Sequence, residues 1–131
     1  MDIVVDTSVL LAVLVSEPQR AKLVALTSDA DLVAPASIHW EVGNALSAML
    51  RRKRITVEQA MSVVGAYDQI PIRLVDVSMK DAVTVAAKLN IYAYDAYFIA
   101  CARDQRIGLL SVDKGLLAAA AQAGVSTVEV P

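Results

Sequence analysis

Four carboxylates stand where apolar segments begin or end: Asp6 in IVVDTSVLL, Glu41 in SIHWEVGNAL, Asp95 in YAYDAYFIACA and Asp113 in GLLSVDKGLL. Carboxylates are almost never fully buried without a partner. No nearby pattern of lysine and arginine neutralises all four, so one shared cation is the natural partner. Ligand sets made only of oxygen select hard ions such as Mg2+ or Mn2+.

Each acid also has an ordinary structural explanation. Asp6 and Asp113 precede helix-forming runs, where Asp serves as an N-cap. Asp95 falls in a first helical turn, where the dipole favours negative charge. Glu41 is harder to explain in this way. Ile38, Val42, Ala45, Leu46 and Met49 make a core face at helical spacing. Glu41 lies roughly 85° from the centre of that face at about 100° per residue. It therefore stands on the rim, between the small residues Ser37 and Ala45, with no basic residue three or four positions away. Ser8 and Ser111 lie two residues from Asp6 and Asp113. They can orient those carboxylates, although Thr7 and Ser8 equally help a helix to start.

The elements that must place these groups alternate along the chain. Strands are expected over Asp2–Val5, Asp31–Ala34, Ile72–Val75, Ile107–Val112 and Val125–Val130. Helices are expected over 7–15, from Glu17-Pro18 to Thr27, from Pro35 or Ser37 to Arg52, and from a Thr56 cap to Asp68. Three more follow: from a Ser78 cap to Asn90 with Asp81 as a variant capping box, over 94–104, and over 114–123. The strands read as continuous apolar runs, the mark of a parallel sheet covered on both faces. The expected fold is α/β, three-layered, with a parallel sheet between helices. Ligands of such sheets bind beyond the carboxyl ends of the strands, where Asp6 and Asp113 fall.

The 131 residues fit one domain spanning 1–131, and 56% hydrophobic content allows a large core. No apolar run reaches the roughly 18 residues of a membrane span, and no secretory signal is visible. The single cysteine, Cys101, excludes a disulfide framework and reads as a small core residue. A cytoplasmic location follows as the default. A net charge of −2 is low for a nucleic-acid binder, but a bound cation and the basic run Arg51, Arg52, Lys53, Arg54 offset it. That run otherwise serves as a solvated helix end. His39 is the only histidine, so a Ser-His-Asp relay lacks support. No GxxxxGK[ST] or GxGxxG motif is present. Trp40 lies opposite the core face with Gly43 and Ser47 beside it; it marks an interface or packs under the following helix.

Together VVDTSVLLA, WEVGNAL, YDAYFIACA and LLSVDKGL, in this order and over the whole chain, resemble a PIN-domain ribonuclease, most closely the VapC-type toxins of bacterial toxin–antitoxin pairs. The resemblance implies a parallel sheet with flanking helices and an acidic metal site whose ligands fall on Asp6, Glu41, Asp95 and Asp113. It implies Mg2+- or Mn2+-dependent cleavage of an RNA substrate and a small antitoxin protein as partner, while the high apolar content leaves surface that a homodimer would cover. Ser111 stands where the family often has Thr. A haloacid-dehalogenase phosphatase would want an Asp at position 8, which is Ser8. A receiver domain would want an acid pair after the first strand. A catalytically silent RNA- or protein-binding module on the same fold is the remaining alternative.

Overall fold

The structure, a computed structural model, describes residues 1–15 and 18–130. Among them lie five strands, β1 (Asp2–Val5), β2 (Asp31–Pro35), β3 (Ile72–Val75), β4 (Gly108–Leu110) and β5 (Thr127–Val128). Seven helices connect them: α1 (Thr7–Leu14), α2 (Arg20–Thr27), α3 (Ile38–Arg51), α4 (Val57–Asp68), α5 (Met79–Leu89), α6 (Ala93–Gln105) and α7 (Lys114–Gln122). The strands form one parallel sheet in the order β3-β2-β1-β4-β5. The fold is α/β, a parallel sheet with helices on both faces.

The most apolar strand takes the centre. Ile3, Val4 and Val5 are fully buried, flanked by Val33 and Ala34 of β2 and by Leu109 and Leu110 of β4. Each such branched side chain contributes about 1.5–3 kcal/mol on leaving water. Parallel crossovers are right-handed. The strand order therefore puts α1 to α4 on one face and α5 to α7 on the other. The contacts agree: α1 touches α2, α3 and α4, while α5 packs along α6, which lies on β1, β2 and β4. Helix α6 buries Ala96 and the whole run Phe98–Ala102.

The helix boundaries follow local chemistry. Thr56 and Gln59 complete a capping box at the start of α4. Ser78 accepts from the Asp81 amide, but the reciprocal half expected of Asp81 is not formed. Pro18 and Gln19 form a turn, and α2 begins at Arg20 instead of at Pro18; the Glu17 part of that expectation lies outside the described residues. Pro35 stays in β2, and Ser37 precedes α3 without a side-chain cap. The last two strands are shorter than the apolar runs that contain them. Pairing, not hydropathy, ends a strand: β4 aligns only three residues with β1, and β5 only two with β4.

Candidate active site

The sheet has one topological switch point, between β1 and β4, where successive strands depart in opposite directions. Ligands of open α/β sheets bind at the crevice this creates. Asp6 follows β1 and is only 4% exposed. Its Oδ1 accepts from the Val9 amide at 3.1 Å, capping α1, and from the Ser8 hydroxyl at 2.7 Å. Its Oδ2 accepts from the Ser111 hydroxyl at 2.6 Å, with Ser8 Oγ also 2.9 Å away. Ser8 and Ser111 in turn accept from the amides of Val112 and Asp113. Two strand ends far apart in sequence are thus tied by two hydroxyls and one carboxylate. Asp113 caps α7, its Oδ1 accepting from Gly115 and Leu116, which leaves Oδ2 outside the cap. For both aspartates the N-cap reading holds, and the cap fixes the direction of the carboxylate.

The other two acids come from opposite faces of the sheet. Glu41 lies in the first turn of α3, and Asp95 in the first turn of α6. Neither caps its helix: Ser37 and Tyr92 hold the N-cap positions. Glu41 Oε2 is buried without a hydrogen-bond partner. Burial above all, then the charges of Asp95 and Asp6, raises its pKa to about 7. The Thr7 hydroxyl offsets part of that rise from nearby, without a hydrogen bond. Burial and the charge of Asp113 raise Asp95, and Asp6 is raised by burial against the pull of its hydrogen bonds, with Asp113 adding to the rise. Glu41, Asp95 and Asp6 therefore each feel at least one other acid, and Asp113 acts on two of them.

Among the described residues no three Asp, Glu, His or Cys side chains stand close enough together to hold a metal ion. The chemistry of the donors nevertheless fits a hard cation. All are oxygens, one of them is orphaned in a buried place, and their mutual repulsion lacks any cationic partner: the ion pairs among the described residues are Arg73–Asp2 and Arg103–Asp104, both exposed. Leaving a buried polar oxygen unpaired costs about 1–3 kcal/mol, and a cation would remove that cost.

A cleft of about 570 Å3 opens beside Glu41, lined by Thr7, Trp40, Glu41, Asn44, Ala45 and Tyr94. Three of these residues had no reading in the sequence as a wall of the site. Asn44 follows Glu41 by one helical turn, and Tyr94 adjoins Asp95; those two spacings were the available signals. Thr7 offered only a helix start. Trp40 is 69% exposed and so does not pack under α4. Cys101 is buried, with its thiol pushed up to about 12 mainly by that burial, and is a core residue. The basic run closes α3 and is exposed from Arg51 to Arg54.

The family model for the PIN domain matches residues 3–122. A search among curated proteins finds no match. Three solved structures share the fold. PAE2754 from Pyrobaculum aerophilum has a TM-score of 0.71 at 21% identity, over 91% of this chain and 79% of that one. VapC20 from Mycobacterium tuberculosis, described as a toxin that cleaves the sarcin-ricin loop, has a TM-score of 0.70 at 18% identity, over 97% and 98%. VapBC2 from Rickettsia felis, solved with a DNA fragment from their promoter, has a TM-score of 0.63 at 14% identity, over 90% and 92%.

Proposed function

This chain belongs to the PIN domain family, and from that premise we propose that it is a single-domain Mg2+- or Mn2+-dependent endoribonuclease, a toxin restrained by a small antitoxin protein. One observation carries the reading: the Glu41 Oε2 is buried with nothing to bind, while Glu41 feels the charges of Asp95 and Asp6. A described RNA-cleaving activity in VapC20, which has this fold, supports RNA as the substrate. The cytoplasm is the compartment that goes with such a substrate.

Asp6, Glu41, Asp95 and Asp113 would hold the ion, Asp113 through water if not directly. When bound, the ion supplies Lewis-acid activation of the phosphoryl group and of a water. The protein's own groups do the rest. The Ser8 and Ser111 hydroxyls fix the Asp6 carboxylate. Asp113 is aimed by its cap. Glu41 either helps to hold the ion or, where it is not a ligand, takes the proton of the attacking water. In-line hydrolysis then leaves 5′-phosphate and 3′-hydroxyl ends.

The partner proteins rest on separate support. Val57, Met61 and Val64 recur at i, i+4 and i+7 along α4, and all three stay exposed. Such an apolar stripe suits a protein partner, either the antitoxin or a second copy in a homodimer. A neighbour solved as VapBC2 with DNA of their promoter favours an antitoxin. No helix among the described residues is long and apolar enough to cross a membrane.

The test is cleavage of total cellular RNA by protein freed of its partner, with mapping of the 5′ ends. Cleavage should need Mg2+ or Mn2+. Equal cleavage in excess EDTA would sink the metal-dependent reading, and no cleavage with either ion would favour a silent binding module.

A further inference from the structure

The cleft beside Glu41 has walls of two kinds. Trp40 and Tyr94, 69% and 66% exposed, offer rings from α3 and α6, on opposite faces of the sheet. Asn44, Thr7 and Glu41 supply polar groups between them, and Ala45 leaves space. Trp40 is not adrift: its ring meets His39 edge-on at 6.3 Å, and His39 leans on Tyr67 of α4 at 5.9 Å. An exposed aromatic held in this way is a platform. The surrounding charge constrains what could lie on it. A phosphate beside Glu41, Asp95 and Asp6 is repelled unless a cation intervenes, whereas a neutral planar group meets no such penalty.

Along α3, Trp40, Asn44, Ser47 and Arg51 recur at i, i+4, i+7 and i+11 and share the solvent face. Arg51 opens the exposed basic run, and no carboxylate among the described residues pairs with it. The run lies about 16 Å along the axis from Trp40, at 1.5 Å per residue. Aromatic platforms followed by cations are how proteins hold single-stranded nucleic acid: rings stack on bases and cations track the backbone.

We infer that this cleft is a nucleobase subsite, in which one unpaired base of the RNA next to the scissile phosphate stacks on Trp40 and Tyr94 while Asn44 contacts its edge. The inference rests on the endoribonuclease reading and names the feature of the substrate that this reading leaves open. The amide of Asn44 both donates and accepts, so it can pair with the edge of a base. The strand leaving the subsite along α3 meets Arg51 to Arg54 with its phosphates.

Trp40 is the only tryptophan in the chain, so its emission reports on the subsite directly. The probes are a mixed-sequence single-stranded RNA decamer and the same ribose-phosphate backbone without bases. Each is titrated in Mg2+ into Asp95→Asn, a variant in which the cleft walls are intact. The base-bearing strand should quench Trp40 saturably, and the abasic strand should not. In the otherwise native protein, Trp40→Ala should raise KM for RNA roughly 5- to 100-fold, the size of one lost stacking contact. Trp40→Phe, which keeps a ring, should recover most of that loss. Equal quenching by both strands overturns the subsite. So does RNA cleavage by Trp40→Ala at unchanged KM, which leaves the nuclease reading standing. Emission unmoved by RNA but shifted by a protein partner makes the cleft a protein groove and also overturns it. If the native protein cleaves no RNA, the nuclease reading falls, and base-dependent quenching still upholds the subsite.

Discussion

The two halves of the acidic site are built on opposite plans. Along β1 and β4, both oxygens of Asp6 are engaged, and the hydroxyls that engage them also satisfy backbone amides. Across the cleft, on α3 and α6, Glu41 has an oxygen with no partner and a pKa driven up to about 7. The first half is complete as a piece of protein structure. The second half is under electrostatic stress that the described chain relieves only in part, through the Thr7 hydroxyl. Strand ends and helix caps hold the carboxylates of Asp6 and Asp113, and helix first turns carry those of Glu41 and Asp95.

This division is tested most strongly by activity. Glu41→Gln keeps the shape of the side chain and removes the charge. It should lower kcat by roughly 10²–10³-fold, the usual cost of losing a preorganised electrostatic contact, read from initial rates on RNA in saturating Mg2+. A change of less than about threefold, an order of magnitude below that estimate, would place Glu41 outside the chemistry.

Ser111→Ala strikes the completed half. It strips a donor from Asp6 and an acceptor from the Asp113 amide, both in a place where Ser111 is 1% exposed. Orphaned buried groups cost about 1–3 kcal/mol, so urea unfolding in EDTA should show a loss of about 2 kcal/mol. A neutral result would mean that water replaces the hydroxyl and that the tie between β1 and β4 is loose.

The pH dependence of the metal-free protein reports on the stressed half. Glu41 binds its proton more tightly folded than unfolded, where its ordinary value is 4.5. Its favourable contribution is therefore full below about pH 4.5 and is lost as pH rises through about 7. Asp6 and Asp95 shift in the same direction. Because Glu41 is only half-buried, the effect between pH 5 and pH 8 should be about 1–2 kcal/mol after allowance for solvent screening. Thermal unfolding in EDTA should give a lower Tm at pH 8, and Glu41→Gln should flatten the difference. Added Mg2+ should act most at the higher pH, because metal ligands must be deprotonated.

The smallest effect sharpens the comparison most, because its sign differs from that of Ser111→Ala. Asp95→Asn removes one repelling charge, so in EDTA the variant should melt above the native protein by the equivalent of about 1 kcal/mol or less, a screened fraction of the Coulomb term. It should also gain less from Mg2+. If it melts lower and keeps the full Mg2+ gain, Asp95 serves only its helix, and the ion is held elsewhere.

What could be read from sequence follows the same line. Asp6 and Asp113 were legible because capping is local: an acid, a short polar stretch and an apolar helix are all present within a few residues. Glu41 was legible because it broke the pattern of its own helix. The PIN domain itself was legible from four short motifs in order, and the family match bears it out. The bond from Ser8 to the Val112 amide was not legible, nor was the pairing of Tyr94 with Asn44 across one cleft. Those depend on which strand lies beside which, and no local pattern encodes that β4 returns to the flank of β1. Trp40 stood between two readings for the same reason. Its burial was a property of its neighbours, and the structure leaves it open to solvent.

The adjacency of β1 and β4 also orders events in time. Ile3 pairs with Gly108, and Asp6 is held by Ser111, so the first ten residues wait for the last fifth of the chain before their carboxylate has an address. Contacts of such sequence separation form late, after the loop-closure entropy has been met. During synthesis the amino-terminal strand emerges long before its partner, and a chain halted ahead of Gly108 carries Asp6, Glu41 and Asp95 with no frame to bring them together. Such a stalled chain should leave RNA intact in Mg2+. On the proposed reading, the acidic site would thus be assembled only after β4 has been made.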